Sequence, residues 1–264
     1  MGGAACRSHD QGSTGRRPLG RIDLALCRIL RVASGSMSAV PADKDAPIGI
    51  FGGTFDPVHV GHLRTGYELM RALRLAELHW IPVGNPGHRD PPLASAELRL
   101  EMLRVAIAGQ PGFVLDDREI RRGGVSYTID TLSELREAYP QRPLCLLLGM
   151  DAFAGFTSWH RWQEIFAVAH VVVAHRPGWQ APISGPLAAL LAERGVADVA
   201  TLHERRAGCV HVRKVTPLEI SSTDLRELLV SGGDPRFLVP EPVRSIIVES
   251  ECYALAHERT QTRR

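Results

Sequence analysis

Two histidines three residues apart are the first side chains of this sequence that could do chemistry. His59 and His62 lie in the segment 52–62, GGTFDPVHVGH, which follows the apolar run 47–51. The run predicts a buried strand, and the two glycines after it predict a tight turn in which backbone can approach a ligand closely. A helix that begins here would offer unpaired N–H groups and a partial positive charge, both of which favour phosphate. The segment therefore predicts a phosphate site.

Other interpretations of this segment are weaker. It has neither the GxGxxG spacing of a dinucleotide-binding turn nor the Gly-Lys-Ser/Thr ending of a P-loop. Each histidine could be a capping or core residue, but two of them in one glycine-bounded turn favour a ligand-binding role. A zinc pair lacks a third ligand at a suitable spacing, so no metal ligand is assigned.

A second polar segment lies near the other end of the chain. Residues 220–226, ISSTDLR, place Ser222 and Thr223 where a helix should begin and Arg226 one turn later. By itself this pattern predicts no more than a helix cap and a solvated arginine. Beside a polyphosphate, the same helix start and the forked guanidinium would both bind anions.

Together the two segments resemble the signatures of the HxGH nucleotidyltransferases, which are relatives of the class I aminoacyl-tRNA synthetase core. The middle of the chain is similar to one family among them, the nicotinate-nucleotide adenylyltransferases. The similar segments are SYTIDTL at 126–132, GMD at 149–151, SWHRW at 158–162, HRPG at 175–178 and the proline-rich loop that contains GHR at 87–89. The resemblance covers about residues 48–253. It departs from the family pattern in the N-terminal tail and at Gly87, where proline is common, which predicts a more mobile loop.

The resemblance implies a reaction in which nicotinic acid mononucleotide attacks the α-phosphorus of ATP and pyrophosphate leaves. The attacking phosphate has a second pKa of about 6, so it is mostly ionised at neutral pH and needs no general base. Catalysis then consists of bringing two anions together and stabilising the charge that grows on the phosphates. Mg²⁺ is expected to arrive with ATP, held by phosphates and water.

The resemblance also implies roles for individual residues. The expected catalytic residues are His59, His62 and Arg226. The expected ATP-binding residues are Gly52, Gly53, Thr54, Phe55, His59, His62, Gly149, Asp151, Ile220, Ser222, Thr223 and Arg226. The expected substrate-binding residues are His88, Arg89, Tyr127, Thr128, Trp159, His160 and Arg176.

The expected pyridine site depends on a ring and on hydrogen-bond donors. Trp159 is expected to stack on the pyridine ring, and Thr128 and the backbone near Tyr127 to receive the carboxylate. Such donors would prefer nicotinate to nicotinamide because a carboxylate only accepts hydrogen bonds. Asp151 is expected to bind a ribose hydroxyl. The alternatives are a solvated loop residue for Arg89 and a core or surface residue for Trp159.

Alternating elements should position these residues. Apolar runs predict strands at 47–51, 78–83, 113–120, 143–148, 170–175 and 209–215, and periodic patterns predict helices at 61–75, 96–108, 128–138, 186–194, 222–230 and 243–256. The Gly/Pro-rich segment 84–95 predicts a functional loop. The alternation predicts an α/β, doubly wound, mainly parallel sheet of the Rossmann-like nucleotidyltransferase kind with a small helical C-terminal part. Ligands should bind beyond the carboxyl ends of its strands, where the strand order reverses.

Composition restricts the setting of the protein. The chain has 264 residues and a net charge of +2, of which residues 1–45 carry +3 and the remainder −1, so no nucleic-acid partner is expected. Five scattered cysteines without a CxxC pair indicate a reducing cytoplasm, and no apolar run is long enough to span a membrane. We expect residues 1–45 to be a disordered or dispensable extension, with Met37 as an alternative start, 46–256 the nucleotidyltransferase domain and 257–264 a flexible tail. Self-association is left open.

Three rival functions share these motifs. An adenylyltransferase for phosphopantetheine is disfavoured by the segments 126–132 and 158–162. One for nicotinamide mononucleotide differs in its substrate by a single carboxylate. A non-catalytic nucleotide-binding protein of the same fold is disfavoured because both polar segments are intact.

Overall fold

A computed structural model of the chain describes residues 1–2, 45–87, 91–175, 182 and 184–253. The described residues from 45 onward belong to one compact unit. Its strands are β1 Ile48–Gly53, β2 Glu77–Pro82, β3 Phe113–Leu115, β4 Leu144–Gly149, β5 His170–His175, β6 Gly195–Val196 and β7 Val210–Lys214. Its α-helices are α1 Val60–Ala72, α2 Ala96–Ile107, α3 Arg118–Arg122, α4 Thr128–Ala138, α5 Met150–Ala154, α6 Ile165–Val168, α7 Gly185–Arg194, α8 Ala200–Glu204, α9 Ser222–Val230 and α10 Glu241–Ser250, and the segments Phe156–Ser158 and Trp162–Glu164 are 3₁₀ turns.

The seven strands form one sheet in the order β3-β2-β1-β4-β5-β7-β6, with parallel pairing throughout. This confirms the predicted doubly wound parallel sheet. From β1 the chain adds β2 and β3 on one side and then returns to add β4 on the other. The strand order therefore reverses between β1 and β4, and parallel sheets of this type bind ligands above such a reversal.

Both faces of the sheet are covered, which explains why its strands are apolar runs rather than alternating patterns. Along β4, Cys145 and Leu147 pack into one hydrophobic cluster, whereas Leu144, Leu146 and Leu148 pack into the other. Successive side chains of a strand point to opposite faces, so each face receives every second residue.

A single glycine brings the histidine-bearing helix close to the sheet. A Cβ atom on Gly66, in the middle of α1, would lie 2.5 Å from the buried Trp80 ring on β2. The missing side chain allows α1 to rest directly on the Trp80 ring.

Three predicted boundaries differ from the structure by three or more residues. The strand predicted at 113–120 ends at Leu115, because the Asp116 carboxylate accepts hydrogen bonds from the backbone and guanidinium of Arg118 and turns the chain into α3. The helix predicted at 243–256 ends at Ser250, since Glu251 adopts a left-handed conformation with φ of 50°. The helix predicted at 61–75 ends at Ala72.

No helix in the described part of the chain combines the length and the apolar character that crossing a membrane requires.

Candidate active site

A cleft of about 1420 Å³ opens above the carboxyl ends of β1 and β4. Its walls include the first turns of three helices, α1, α5 and α9. The residues predicted to bind ATP all line this cleft: Gly52, Gly53, Thr54, Phe55, His59, His62, Gly149, Asp151, Ile220, Ser222, Thr223 and Arg226. Residues from opposite ends of the domain are thus brought together at the strand-order reversal.

His59 and His62 form a reciprocal cap at the start of α1. The His62 backbone N–H donates to His59 Nδ1 at 3.4 Å, and the His59 N–H donates to His62 Nδ1 at the same distance. The two rings are stacked, with centroids 3.7 Å apart. Because each Nδ1 accepts a hydrogen bond, the proton of each neutral ring is placed on Nε2. Both histidines therefore do act as capping residues, and the capping bonds orient their rings.

Burial and the neighbouring His59 ring lower the pKa of His62 well below its usual value. His62 is consequently neutral at pH 7 in the unliganded protein. A neutral imidazole with its proton on Nε2 is a hydrogen-bond donor, and an adjacent polyphosphate would favour its protonated form.

The buried ring of Phe55 packs against the ring of His62. The Phe55 ring is 2% exposed and lies with its centroid 5.1 Å from His62 and 5.8 Å from Trp80. The left-handed backbone of Phe55, with φ of 49°, turns the ring inward. A buried ring cannot stack on a base, so any nucleotide contact of Phe55 must come from its backbone.

Direct hydrogen bonds join the two polar segments. The Ser222 hydroxyl donates to the Pro57 carbonyl at 3.0 Å, and Arg226 Nη1 donates to the Asp56 carbonyl at 2.9 Å. Arg226 Nη2 also donates to Thr223 Oγ1 at 3.2 Å. Since the Ser222 hydroxyl proton is used to dock the segments, the donors this helix can offer a phosphate are backbone N–H groups of its first turn, the Thr223 hydroxyl, which accepts from Arg226 and keeps its own proton, and the remaining N–H groups of Arg226.

Asp56 is a central residue that sequence reasoning did not single out. Its carboxylate is 2% exposed and accepts hydrogen bonds from Leu93 N at 2.9 Å, Ala94 N at 3.1 Å and Tyr253 Oη at 2.8 Å. It joins the phosphate turn to the end of the 84–95 loop and to the C-terminal segment. The one sequence signal was its place between the glycines and His59.

The residues predicted for the pyridine substrate form a second group beside the cleft. The rings of Tyr127 and His160 lie 4.2 Å apart, Thr128 begins α4, and the half-buried Trp159 packs 5.4 Å from the core ring of Phe156. The described residues that line the cleft include none of these four, Tyr127, Thr128, Trp159 and His160. His88, Arg89 and Arg176 lie outside the described residues.

The 84–95 loop connects the two groups. Asn85 O accepts a hydrogen bond from Ser126 N at 3.0 Å, immediately before Tyr127, and Pro86 and Gly87 line the cleft. A Cβ atom on Gly87 would lie 2.4 Å from Val125 Cγ1. The glycine that departs from the family pattern therefore makes room for Val125 at this connection.

Replacing Gly52 with alanine should weaken ATP binding without harming the fold. No atom lies within 4 Å of a Cβ built at Gly52, which faces the cleft. The added methyl group would occupy ligand space, and overpacking of this kind raises a Kd by roughly tenfold or more. Calorimetric titration with ATP and urea unfolding measure the two quantities. Gly155→Ala, outside the cleft with its nearest neighbours 4.0 Å away, is the control, and an unchanged Kd for Gly52→Ala would contradict the expectation.

Comparison with known proteins gives a consistent result. The profile of the cytidylyltransferase-like family matches residues 50–228. A relative from Aeromonas hydrophila named "Probable nicotinate-nucleotide adenylyltransferase" is 49% identical over 207 residues, which cover 78% of this chain and 97% of that one. A relative of the same name from Methylococcus capsulatus is 43% identical over 208 residues, 78% of this chain and 99% of that one.

The fold has a solved counterpart. The nicotinic acid mononucleotide adenylyltransferase of Plasmodium falciparum, complexed with NaAD, is similar with a TM-score of 0.61 and 16% identity, covering 79% of this chain and 97% of that one. At this identity the likeness concerns the fold.

Proposed function

The chain belongs to the cytidylyltransferase-like family and groups with the nicotinate-nucleotide adenylyltransferases, and from this premise we propose that it transfers the adenylyl group of ATP to nicotinic acid mononucleotide, giving deamido-NAD and pyrophosphate. The reaction is a step in NAD biosynthesis. The observation that carries this proposal is the docking of the Ser222 and Arg226 segment onto Asp56 and Pro57 beside the two histidines.

The cleft suits a polyphosphate because donors surround it and the carboxylate nearest the phosphate turn, that of Asp56, is already hydrogen-bonded. His59 and His62 would donate from Nε2 to the α- and β-phosphates, and the start of α9 with Arg226 would hold the β- and γ-phosphates. The Asp56 carboxylate is buried with three donors of its own, and the nearby Arg99 guanidinium offsets its charge. Asp151, exposed in the first turn of α5, would bind a ribose hydroxyl.

These groups account for the chemistry without a nucleophilic side chain. The acceptor phosphate attacks the α-phosphorus, and the bond from that phosphorus to the bridging oxygen of pyrophosphate breaks. Positive and donor groups stabilise the negative charge that grows on the phosphate oxygens. His62, neutral before binding, can strengthen its hydrogen bond as this charge develops.

The donor set of the cleft fits a metal that arrives with the substrate. Within the ranges that the structure describes, no group of three or more His, Cys, Asp or Glu side chains could hold a metal ion. Mg²⁺ carried by ATP would keep phosphate oxygens and water as ligands and neutralise charge on the leaving pyrophosphate.

The pyridine ring belongs beside Tyr127, His160 and Trp159 in this proposal. These aromatic side chains lie next to the N-terminus of α4, where Thr128 and backbone N–H groups can receive a carboxylate. His88, Arg89 and Arg176 complete the proposed substrate contacts.

The acceptor is tested by kinetics. We expect kcat/KM for nicotinic acid mononucleotide to exceed that for nicotinamide mononucleotide by roughly 10- to 100-fold, because an amide in a donor-lined site leaves donors unpaired. A coupled assay of pyrophosphate release, run with ATP and each acceptor, measures both values. Phosphopantetheine should give no activity above background. Preference for the amide or for phosphopantetheine would overturn the substrate assignment, and absence of turnover with every acceptor would favour a nucleotide-binding protein.

The proposal extends to the organisation of the chain. Residues 46–256 would form the catalytic domain in the cytoplasm, and residues 1–45 and 257–264 would be dispensable for it. A homo-oligomer is compatible with this assignment, since the described site is built from one chain.

A further inference from the structure

Arg99 is a buried cation whose three guanidinium nitrogens each donate to a backbone carbonyl. Its side chain, on α2, belongs to a residue that is 1% exposed. Nη1 donates to Thr54 O at 2.8 Å, Nη2 to Gly84 O at 3.3 Å and Nε to Ala94 O at 3.3 Å. Burial lowers the pKa of Arg99, and the nearby Asp56 carboxylate opposes this shift. Burying an arginine is costly, so three specific bonds with a buried counter-charge indicate a positional requirement.

The three carbonyls belong to different parts of the site. Thr54 lies in the phosphate turn between the glycines and His59. Ala94 is the end of the 84–95 loop, where its own N–H donates to the Asp56 carboxylate at 3.1 Å. Arg99 and Asp56 thus fasten this end of the loop to the phosphate turn from two sides.

The third carbonyl leads to the pyridine side. Gly84 is also approached from its other side, because a Cβ on Gly84 would lie 2.5 Å from Glu119 O. Burial raises the pKa of the Glu119 carboxyl, and the nearby Gly84 N–H opposes this shift. The next residue, Asn85, accepts the Ser126 N–H at 3.0 Å directly before Tyr127. One guanidinium therefore connects the ATP turn to the segment that begins the pyridine site.

We infer that Arg99 is a positioning residue for the transfer reaction, because its guanidinium fixes the separation between the phosphate turn at Thr54 and the pyridine-side turn reached through Gly84. This inference rests on the proposed function. Arg99 is not among the described residues that line the cleft. Each half of the site is also held by other contacts, so each should still bind its own ligand when Arg99 is altered. What suffers is the alignment of the two reacting phosphates, and a displacement of about 1 Å can cost roughly 100-fold in rate.

Arg99→Lys and Arg99→Met separate positioning from stability. Lysine keeps the charge but can bridge fewer carbonyls, and methionine keeps only the bulk. We expect kcat to fall at least tenfold for Arg99→Lys and further for Arg99→Met. The Kd values of ATP and nicotinic acid mononucleotide, each measured alone by calorimetry, should change by less than threefold.

Arg136→Lys is the matched control. Arg136 also donates to several backbone carbonyls, including Val168 O at 2.7 Å and Arg206 O at 3.0 Å. These carbonyls precede β5 and β7, at the amino ends of the strands, whereas the cleft lies at the carboxyl ends. Arg136→Lys should lower the midpoint of urea unfolding and leave kcat per folded molecule within twofold of wild type.

Two results would overturn the inference: an unchanged kcat in folded Arg99→Lys, or a loss of ATP binding as large as the loss of kcat. Should Arg99→Met not fold, Arg99→Lys decides the question by the same measurements of kcat and of the two Kd values. Failure of the proposed function would look different, since the wild-type protein itself would then produce no pyrophosphate.

Discussion

Replacing His62 with alanine is expected to lower kcat for pyrophosphate release by roughly 100- to 1,000-fold, the loss typical of one donor removed from a charge-stabilising site. The Nε2 proton is the donor in question, because Nδ1 is used by the His59 N–H. The pKa of His62 is held well below its usual value by burial and by His59, so the ring is neutral before the nucleotide binds. Steady-state assays with saturating ATP and nicotinic acid mononucleotide measure the effect.

Two further variants isolate the chemistry from the helix cap. Glutamine is a natural capping-box residue at this helix position, so His62→Gln should keep the stability of wild type while turnover stays between those of wild type and His62→Ala. His203, whose Nε2 lies 2.9 Å from Leu73 O outside the cleft, is the control, and His203→Ala should leave kcat within twofold of wild type. Turnover of folded His62→Ala within twofold of wild type would remove the histidine from the mechanism.

Asp56→Ala should be the most destabilising single change at the site. It leaves Leu93 N, Ala94 N and Tyr253 Oη without their acceptor and removes the counter-charge near Arg99. Breaking a buried charge arrangement by removing one partner costs about 3–5 kcal/mol. The free energy of unfolding in urea measures this cost, and a turnover assay on the folded fraction should show loss of activity because the phosphate turn is no longer held.

Two variants with smaller expected effects on the free energy of unfolding serve as comparisons for Asp56→Ala. Tyr253→Phe removes only one of the three donors and should cost about 1 kcal/mol, the contribution of an ordinary hydrogen bond. Asp117→Ala breaks an exposed pair with Arg121 and should cost less than about 1 kcal/mol, as surface ion pairs do. If Asp56→Ala were no less stable than Asp117→Ala, the carboxylate would not fasten the loop and the C-terminal segment as described.

The fold could be predicted from the sequence because the patterns that indicate its strands and helices are local. Apolar runs such as 143–148 and 170–175 can only be satisfied by strands covered on both faces, and the helical patterns between them require parallel connections. Gly52 and the His59 and His62 pair mark a ligand turn by residue type and spacing alone. The resemblance of this turn and of residues 220–226 to nucleotidyltransferase signatures supplied the reaction, and the cleft brings these residues together.

The failures of the sequence prediction were also local in origin. The strand predicted through residue 120 ends early because the Asp116 carboxylate accepts a hydrogen bond from the Arg118 backbone N–H, and the chain turns there into α3. The last helix ends at Ser250, and Tyr253 is then buried against Asp56. Neither apolar periodicity nor propensity records such side-chain bonds.

The sequence by itself determined which residues could bind phosphate and in which order the strands and helices follow. Only the tertiary structure decided that Ser222 docks on Pro57 across 165 residues, that Arg226 binds the Asp56 carbonyl across 170, and that Tyr253 reaches the Asp56 carboxylate across 197. Arg99, likewise, is one polar residue on a helix until the fold surrounds it with three carbonyls. The physical reason is that hydrogen bonds between distant segments depend on where the packed sheet and helices place their ends, and spacing along the chain contains no such distance.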